Sequence, residues 1–473
     1  MFGLSASPAN DKEVTRVTDW KTYLEEHKDA YLEELIEFLR IPSVSTLAAH
    51  REDVRRAAQW TANRLRRAGI ADVQIMETGG HPLVYAERIE SADKPTVLFY
   101  GHFDVQPAEP IELWTHPPFE PHVEDGKIYA RAASDMKGNV LLPIIACEAI
   151  LQTTGGLPLN VKFLIEGEEE IGSPSLGRFV AEHTDLLTCD LTISADGGIG
   201  SKEAPKIGIG NRGLAGIEVR VQTATVDLHS GNGGFAPNAL HGLVSILNSL
   251  RDEEGRILVE GFYDDVEPVG EQERALAREL TAGYERTAKT AGIRASFGEP
   301  EYSPAERALV RPTLELNGVW GGFQGDGIKT VIPHEAFAKI TCRLVPNQDP
   351  AVIREQVKAH IRRVRPEYAS VTFTDLPGEA FAYRLPTNDR SVDALQQVLL
   401  ETTGKRAGFG MSGGTVPVMG LLQRALGVQT VTVGASGEGE RAHAPNEFLR
   451  LENFYRLQEI YCLYLTKLAA VLK

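Results

Sequence analysis

The amino-acid sequence predicts an α/β fold: a mostly parallel sheet flanked by helices, with a smaller α+β unit inserted into it. Two observations predict it. Helix-like and strand-like segments alternate through residues 30–194, as in a sheet whose strands are joined by crossover helices. Clean apolar–polar alternation, the mark of half-solvated antiparallel strands, is confined to the middle of the chain. The larger unit is placed at residues 1–209 and 386–473, and the insert at 210–385.

The elements follow in order. Residues 30–40 (AYLEELIEFLR) and 51–69 (REDVRRAAQWTANRLRRAG) carry apolar residues at helical spacing, and the second closes on a basic turn and Gly69. Residues 96–100 (TVLFY) are an apolar strand ended by Gly101. Residues 136–155 read as a helix kinked at Pro143. Residues 160–165 (NVKFLI) and 190–194 (DLTIS) are further strands, with Ser173 and Pro174 between them as a helix cap and first turn. In the insert, 214–223 and 335–345 alternate as antiparallel strands, while 238–252 and 350–364 read as helices. A helix over 391–404, a strand over 429–435 and a helix from about 447 return the α/β pattern.

Composition narrows the function. Acidic residues number 65 against 49 basic, a net charge of −16. Nucleic-acid and anionic-membrane partners need a basic face, so neither is expected. Cys147, Cys189, Cys342 and Cys462 form no C-x-x-C pair and are expected as reduced thiols. The start, MFGLSASPANDKEV, lacks a basic then apolar leader, and no apolar run reaches membrane length; a cytoplasmic protein is expected.

Two short motifs fail on context. GIGNRG (208–213) spells a dinucleotide-binding loop, but a strand rather than a helix follows it. These glycines are read as a bend between the units. GMSGG (410–414) fits a nucleophile elbow, with Ser412, Glu438 and His443 in the order of a serine hydrolase. The residues before it make a poor strand, and a glycine-rich loop offering N–H groups to a ligand is the better reading.

The remaining signal is scattered. GHFD (101–104), ASDMKG (133–138), EGEEEIGS (166–173), SADGG (194–198) and HAPNE (443–447) each stand at or beside a strand end. Ligands of open α/β sheets bind outside the carboxyl ends of the strands. His102, Asp135, Glu170, Asp196 and His443 together offer three carboxylates and two imidazoles. That set suits two divalent cations, zinc first, with manganese or cobalt admissible.

In this order the motifs resemble the M20 dinuclear zinc metallopeptidases, in their carnosinase-like dipeptidase branch. DLHSG (227–231), TVIP (330–333), RLVPNQ (343–348) and GRILVEGFYDDV (255–266) carry the resemblance further. It implies that His102 and Asp196 hold one zinc, Glu170 and His443 the other, and Asp135 both. Asp104 would orient His102, and Glu169 would be the general base. The insert would be a lid and dimerisation domain, making a homodimer in which His229 stabilises the oxyanion, reaching toward the partner subunit's site. Arg343 would grip the terminal carboxylate of a small peptide substrate; Thr330, Ser412, Gly413 and Gly414 would line it. Rival readings are an N-acyl amino acid deacylase or desuccinylase of the same family, the serine hydrolase, and a binding protein without catalysis.

Overall fold

A computed structural model describes residues 19–472. The N-terminal stretch read for a leader lies outside the described residues.

The central sheet has six strands in the spatial order Asp72–Met76, Leu83–Arg88, Asn160–Glu166, Thr96–His102, Leu191–Ser194 and Thr430–Thr432. The last four run parallel to one another; the two outer strands pair antiparallel. Asn160–Glu166 is buried at every position, as a central strand covered on both faces must be. Helix Gly138–Thr154 is apolar nearly all round and packs on the C-terminal helix Leu451–Val471. Pro143 sits inside that helix, which runs on to Thr154.

A second sheet has four antiparallel strands in the order Thr313–Gly321, Glu335–Leu344, Gly213–Gln222 and Ser370–Asp375. Helices Ala239–Asn248 and Pro350–Val364 cover it and share a separate hydrophobic cluster with Val219, Val221 and Ile340. Both helices start as their sequences imply: Asn238 and Asp349 each accept a main-chain N–H of the first turn at 2.9 Å.

Four local expectations change. Residues 208–213 are no bend. They lie in strands Lys206–Asn211 and Gly213–Gln222 with Arg212 between, and Gly213 serves close approach: a β carbon there would stand 2.5 Å from the Ala380 carbonyl oxygen. Gly408–Ser412 is a strand, paired parallel with Lys206–Asn211, rather than a loop. The helix expected at Ser173–Pro174 starts at Leu176, because Ser173 takes a left-handed conformation (φ 52°) while its hydroxyl donates to Glu166. The last helix starts at Leu451, because Phe448–Arg450 first pairs with Lys127–Tyr129. Among the described residues, no helix is long and apolar enough to cross a membrane.

Candidate metal centre and active site

Four parallel strands deliver their carboxyl ends to one edge of the sheet. Strand Thr96–His102 ends on His102 itself, two residues past the expected end at Tyr100, in register with Glu166. Glu169 and Glu170 follow in a single short turn, Glu169–Ile171. Asp196 comes two residues after Leu191–Ser194, and His443 lies in the segment after Thr430–Thr432.

The side chains converge. His102 Nε2 stands 3.4 Å from Asp135 Oδ1 and 3.9 Å from Glu169 Oε2. His443 Nε2 stands 2.9 Å from Asp135 Oδ2 and 3.1 Å from Glu170 Oε2. Asp135 therefore lies between both imidazoles. His102, Asp135 and Glu170 offer ligand atoms that all lie within 4.8 Å of one another.

The supports are as specific as the cluster. His102 Nδ1 lies 3.1 Å from the Asp104 carbonyl oxygen and 3.4 Å from its carboxylate. That carboxylate is fully buried and accepts the main-chain N–H groups of Glu169 (3.1 Å) and Glu170 (3.0 Å). Asp104 thus sets both the histidine and the glutamate turn. Asp135 does not cap a helix as a D-M-K-G pattern suggests; its backbone is extended, and helix Gly138–Thr154 starts after it. His443 has φ 62°, a left-handed backbone that costs a non-glycine residue about 1 kcal/mol.

The electrostatics ask for positive charge. Burial, then the negative neighbours Asp196, Glu170 and Asp104, push Glu169 up to about 9, with His102 opposing. Burial and Asp135 push Asp196 up to about 6. Asp135 and Glu170 raise His443 to about 10. Against burial, Asp104 and Asp135 hold His102 well above the usual imidazole range. Two buried atoms, His102 Nε2 and Glu170 Oε1, receive no hydrogen bond. A buried polar atom without a partner costs about 1–3 kcal/mol. Unpartnered lone pairs among converging carboxylates fit divalent cations, which would supply the missing charge.

The predicted substrate residues fall into two groups. Arg343 is half-buried rather than solvated, and donates to Thr415 Oγ1 at 2.5 Å. Thr415 Oγ1 in turn donates to the Arg212 carbonyl at 2.7 Å, and Arg212 Nε donates to the Gly413 carbonyl at 3.0 Å. Ser412 Oγ accepts the Gly414 N–H at 3.0 Å. His443, the base of a serine triad, is bonded to Asp135 and Glu170 instead. His229 and Thr330 stand together, His229 opposite Val331 and Ser230 donating to the Thr330 carbonyl. His229 is exposed, and among the described residues no ion pair joins it to the cluster.

A family model for peptidase family M20/M25/M40 matches residues 98–467. The chain belongs to that family. Beta-Ala-His dipeptidase of Mus musculus is 29% identical over 468 residues, with 94% of each chain covered. Cys-Gly metallodipeptidase of Schizosaccharomyces pombe is 28% identical, covering 95% of this chain and 97% of that one. An M20 family metallo-carboxypeptidase from Sulfolobus solfataricus shares the fold with a TM-score of 0.80 at 35% identity, covering 93% of this chain and 99% of that one.

Several supports of this M20 peptidase were not singled out from the sequence. Gln106 Nε2 donates to Glu170 Oε2 at 2.9 Å. Glu447, the last letter of HAPNE, accepts the N–H groups of Ala132, Ser134 and Asp135. Arg212, the arginine of GIGNRG, is a second guanidinium beside Arg343. Burial, then Arg343, lowers it to about 10. Glu166 and Glu168 hold the turn: Glu166 accepts from Tyr100 and Ser173, and Glu168 from the N–H groups of His81 and Ser175. A further trio, His116, His122 and Glu124, also converges. Its two rings stack at 3.8 Å and 24°.

Proposed function

We propose that this peptidase hydrolyses dipeptides and short peptides carrying a free C-terminal carboxylate, using two divalent cations, zinc first. The observation that carries the reading is Asp135 standing between His102 and His443 with Glu169 alongside. His102 and Asp196 would hold one ion, Glu170 and His443 the second, and Asp135 both. When bound, such ions polarise the scissile carbonyl and make a water acidic at neutral pH. Glu169 would serve as general base, taking a proton from the attacking water and passing it to the leaving amine; its place 3.9 Å from His102 Nε2 suits the task. Asp104 fixes the base by its main chain, leaving the Glu169 carboxylate free to move a proton.

Arg343 and Arg212 bind the substrate's terminal carboxylate in this reading, and Ser412, Gly413 and Gly414, next to Arg212 through the Gly413 carbonyl, line the substrate. Two guanidiniums close enough to repel, Arg343 bonded to Thr415 Oγ1 and Arg212 to the Gly413 carbonyl, suit an anion, which would relieve their mutual repulsion. The names of the relatives, two dipeptidases and a carboxypeptidase, support this substrate class.

Residues 210–385 form the lid and the homodimer contact in this reading, and 1–209 with 386–473 the catalytic unit. The separate hydrophobic cluster of the second sheet supports that division. Val226, Phe235 and Ile328 are exposed beside His229 and Thr330, apolar surface that a second subunit would cover. His229 then serves the partner subunit's site. Steady-state assay on a panel of dipeptides and N-acyl amino acids, with and without chelator, tests the function. Dipeptide turnover abolished by chelator is expected; turnover of N-acyl amino acids alone would replace the reading with the deacylase one.

A further inference from the structure

His116, His122 and Glu124, which belong to no part of the catalytic cluster, offer two imidazoles and a carboxylate whose ligand atoms all lie within 4.8 Å of one another. The chain holds them ready. Residues 116–122 read HPPFEPH, with three prolines between the two histidines. Each proline fixes its φ near about −65°, so this loop has little freedom to lose on binding. Hydrogen bonds pin it further. Glu120 N–H donates to the Pro117 carbonyl at 3.0 Å, and Arg131 N–H to the Pro118 carbonyl at 2.8 Å. Thr115 N–H donates to Asn446 Oδ1 at 2.7 Å. His122 and Glu124 stand two apart on strand His122–Glu124, which puts both on one face.

These three side chains have no other employment. Among the described residues, none of them makes a hydrogen bond or an ion pair. Lys127, opposite Glu124 on the paired strand, turns away, its Nζ 4.9 Å from the centre of the Phe448 ring. The imidazoles stack at 3.8 Å and 24°, and with no bond holding either ring each can swing about its Cβ–Cγ bond onto a shared ion. A cavity of about 350 Å³, lined by His116 and Glu124, opens at the same place and leaves room for water as a fourth ligand. Lys127 and Arg441 line it too. Two cations oppose an ion held by charge alone, and calcium and magnesium want oxygen ligands. Two imidazoles and a carboxylate instead bind zinc, cobalt or nickel by coordination.

We propose that His116, His122 and Glu124 form a separate site for one divalent ion of the zinc class, apart from the ions of the catalytic edge. Its work is to brace. The loop it closes is tied to Asn446 at two points, through the Thr115 N–H and through Asn446 Nδ2, which donates to the Leu113 carbonyl at 3.0 Å. Asn446 stands three residues after His443, so the ion steadies the segment that carries that histidine. All three ligands are at least partly exposed, so replacing them spares the core.

The test is the zinc content of the full chain, loaded with zinc and passed through gel filtration, for wild type, His116→Gln, His122→Gln and the double variant. Each single substitution should remove one zinc per subunit, and the double variant should lose no more than one. An excess of calcium or magnesium should displace none of it. Wild type should melt above His122→Gln in zinc and level with it in chelator, since only the ion separates them. The count is a difference between chains, so it stands or falls apart from the dipeptidase reading. Equal zinc content in all four chains overturns the proposal. Loss of more than one zinc also overturns it, because the histidines would then be supporting the catalytic edge. A zinc loss seen only in variants that melt lower even in chelator overturns it as well, since packing rather than an ion has gone.

Discussion

Glu447 Oε1 accepts the main-chain N–H of Asp135 at 3.0 Å. The same oxygen takes the Ser134 N–H at 3.0 Å, and Oε2 takes the Ala132 N–H at 3.1 Å and Arg131 Nη1 at 2.7 Å. Both partners of the Arg131–Glu447 pair are buried. One carboxylate thus holds the turn that carries Asp135, including Ala132 at φ 71°. Glu447→Gln would set an amide N–H against N–H groups and leave Arg131 unpaired. Breaking a buried pair costs about 3–5 kcal/mol. Denaturant unfolding of the variant should show a loss of about that size, and metal stoichiometry should fall with it. Unchanged stability would remove Glu447 as the anchor of Asp135.

Glu169→Gln keeps the shape of the base and the main-chain bond to Asp104, but cannot take a proton. General-base catalysis is worth about 10²–10⁴-fold. kcat should fall by about a thousandfold, while bound metal and melting temperature stay at wild-type values. Turnover within a few-fold of wild type would assign proton transfer to another group.

Much of this site was legible in the sequence because strand ends announce themselves. An apolar run that stops at polar residues places His102, Glu169, Glu170 and Asp196 without knowing the fold, since parallel strands share one carboxyl edge. The supports were less legible. Glu447 acts on residues more than 300 positions earlier in the chain, and nothing local marks that pairing. Arg212 hid inside a glycine pattern read as a bend; extended glycines and turn glycines look alike until the Ala380 backbone is seen packed against Gly213. Ser173 looked like a helix cap because Ser-Pro usually is one, yet its hydroxyl is committed to Glu166.

Arg343 and Arg212 should separate by kinetics from the cluster. Each offers charge-assisted hydrogen bonds worth about 1.5–3 kcal/mol to a carboxylate. Arg343→Ala and Arg212→Ala should each raise KM about tenfold or more for a dipeptide, and lose that effect on a substrate whose C-terminus is amidated. Arg343→Lys should rescue only in part, since an ammonium lacks the planar fork. An equal penalty on amidated and free-acid substrates would refute carboxylate recognition.

Metal removal should destabilise the fold as well as silence it. Asp135, Glu169, Glu170 and Asp196 crowd one edge of the sheet, where among the described residues two imidazoles, His102 and His443, face them. Cations that bind this state and not the unfolded chain stabilise it by about 4 kcal/mol at a thousandfold excess over the dissociation constant. Chelator-treated protein should melt several degrees lower and recover when zinc is restored. A melting temperature indifferent to chelator would mean the acidic cluster is stable without ions.

His360 gives the second sheet unit its own pH response, independent of the metal cluster. It is buried on helix Pro350–Val364 between two partners. Arg363 Nη2 stands 3.2 Å from its Nδ1, so Nδ1 is the acceptor and the ring is neutral. Nε2–H then donates to Ser249 Oγ at 3.0 Å, and that hydroxyl donates to the Ile246 carbonyl at 2.7 Å. Burial, then the Arg363 guanidinium, lowers its pKa below the ordinary imidazole value of 6.5. The unfolded chain therefore binds the proton first. Stability from this group is present above about pH 6.5 and is lost as pH falls through the lower folded value. Urea midpoints at pH 7.5, 6.0 and 5.0 should fall for wild type more steeply than for His360→Gln, which has no proton to gain. Parallel declines in the two proteins would show that the acid response arises elsewhere.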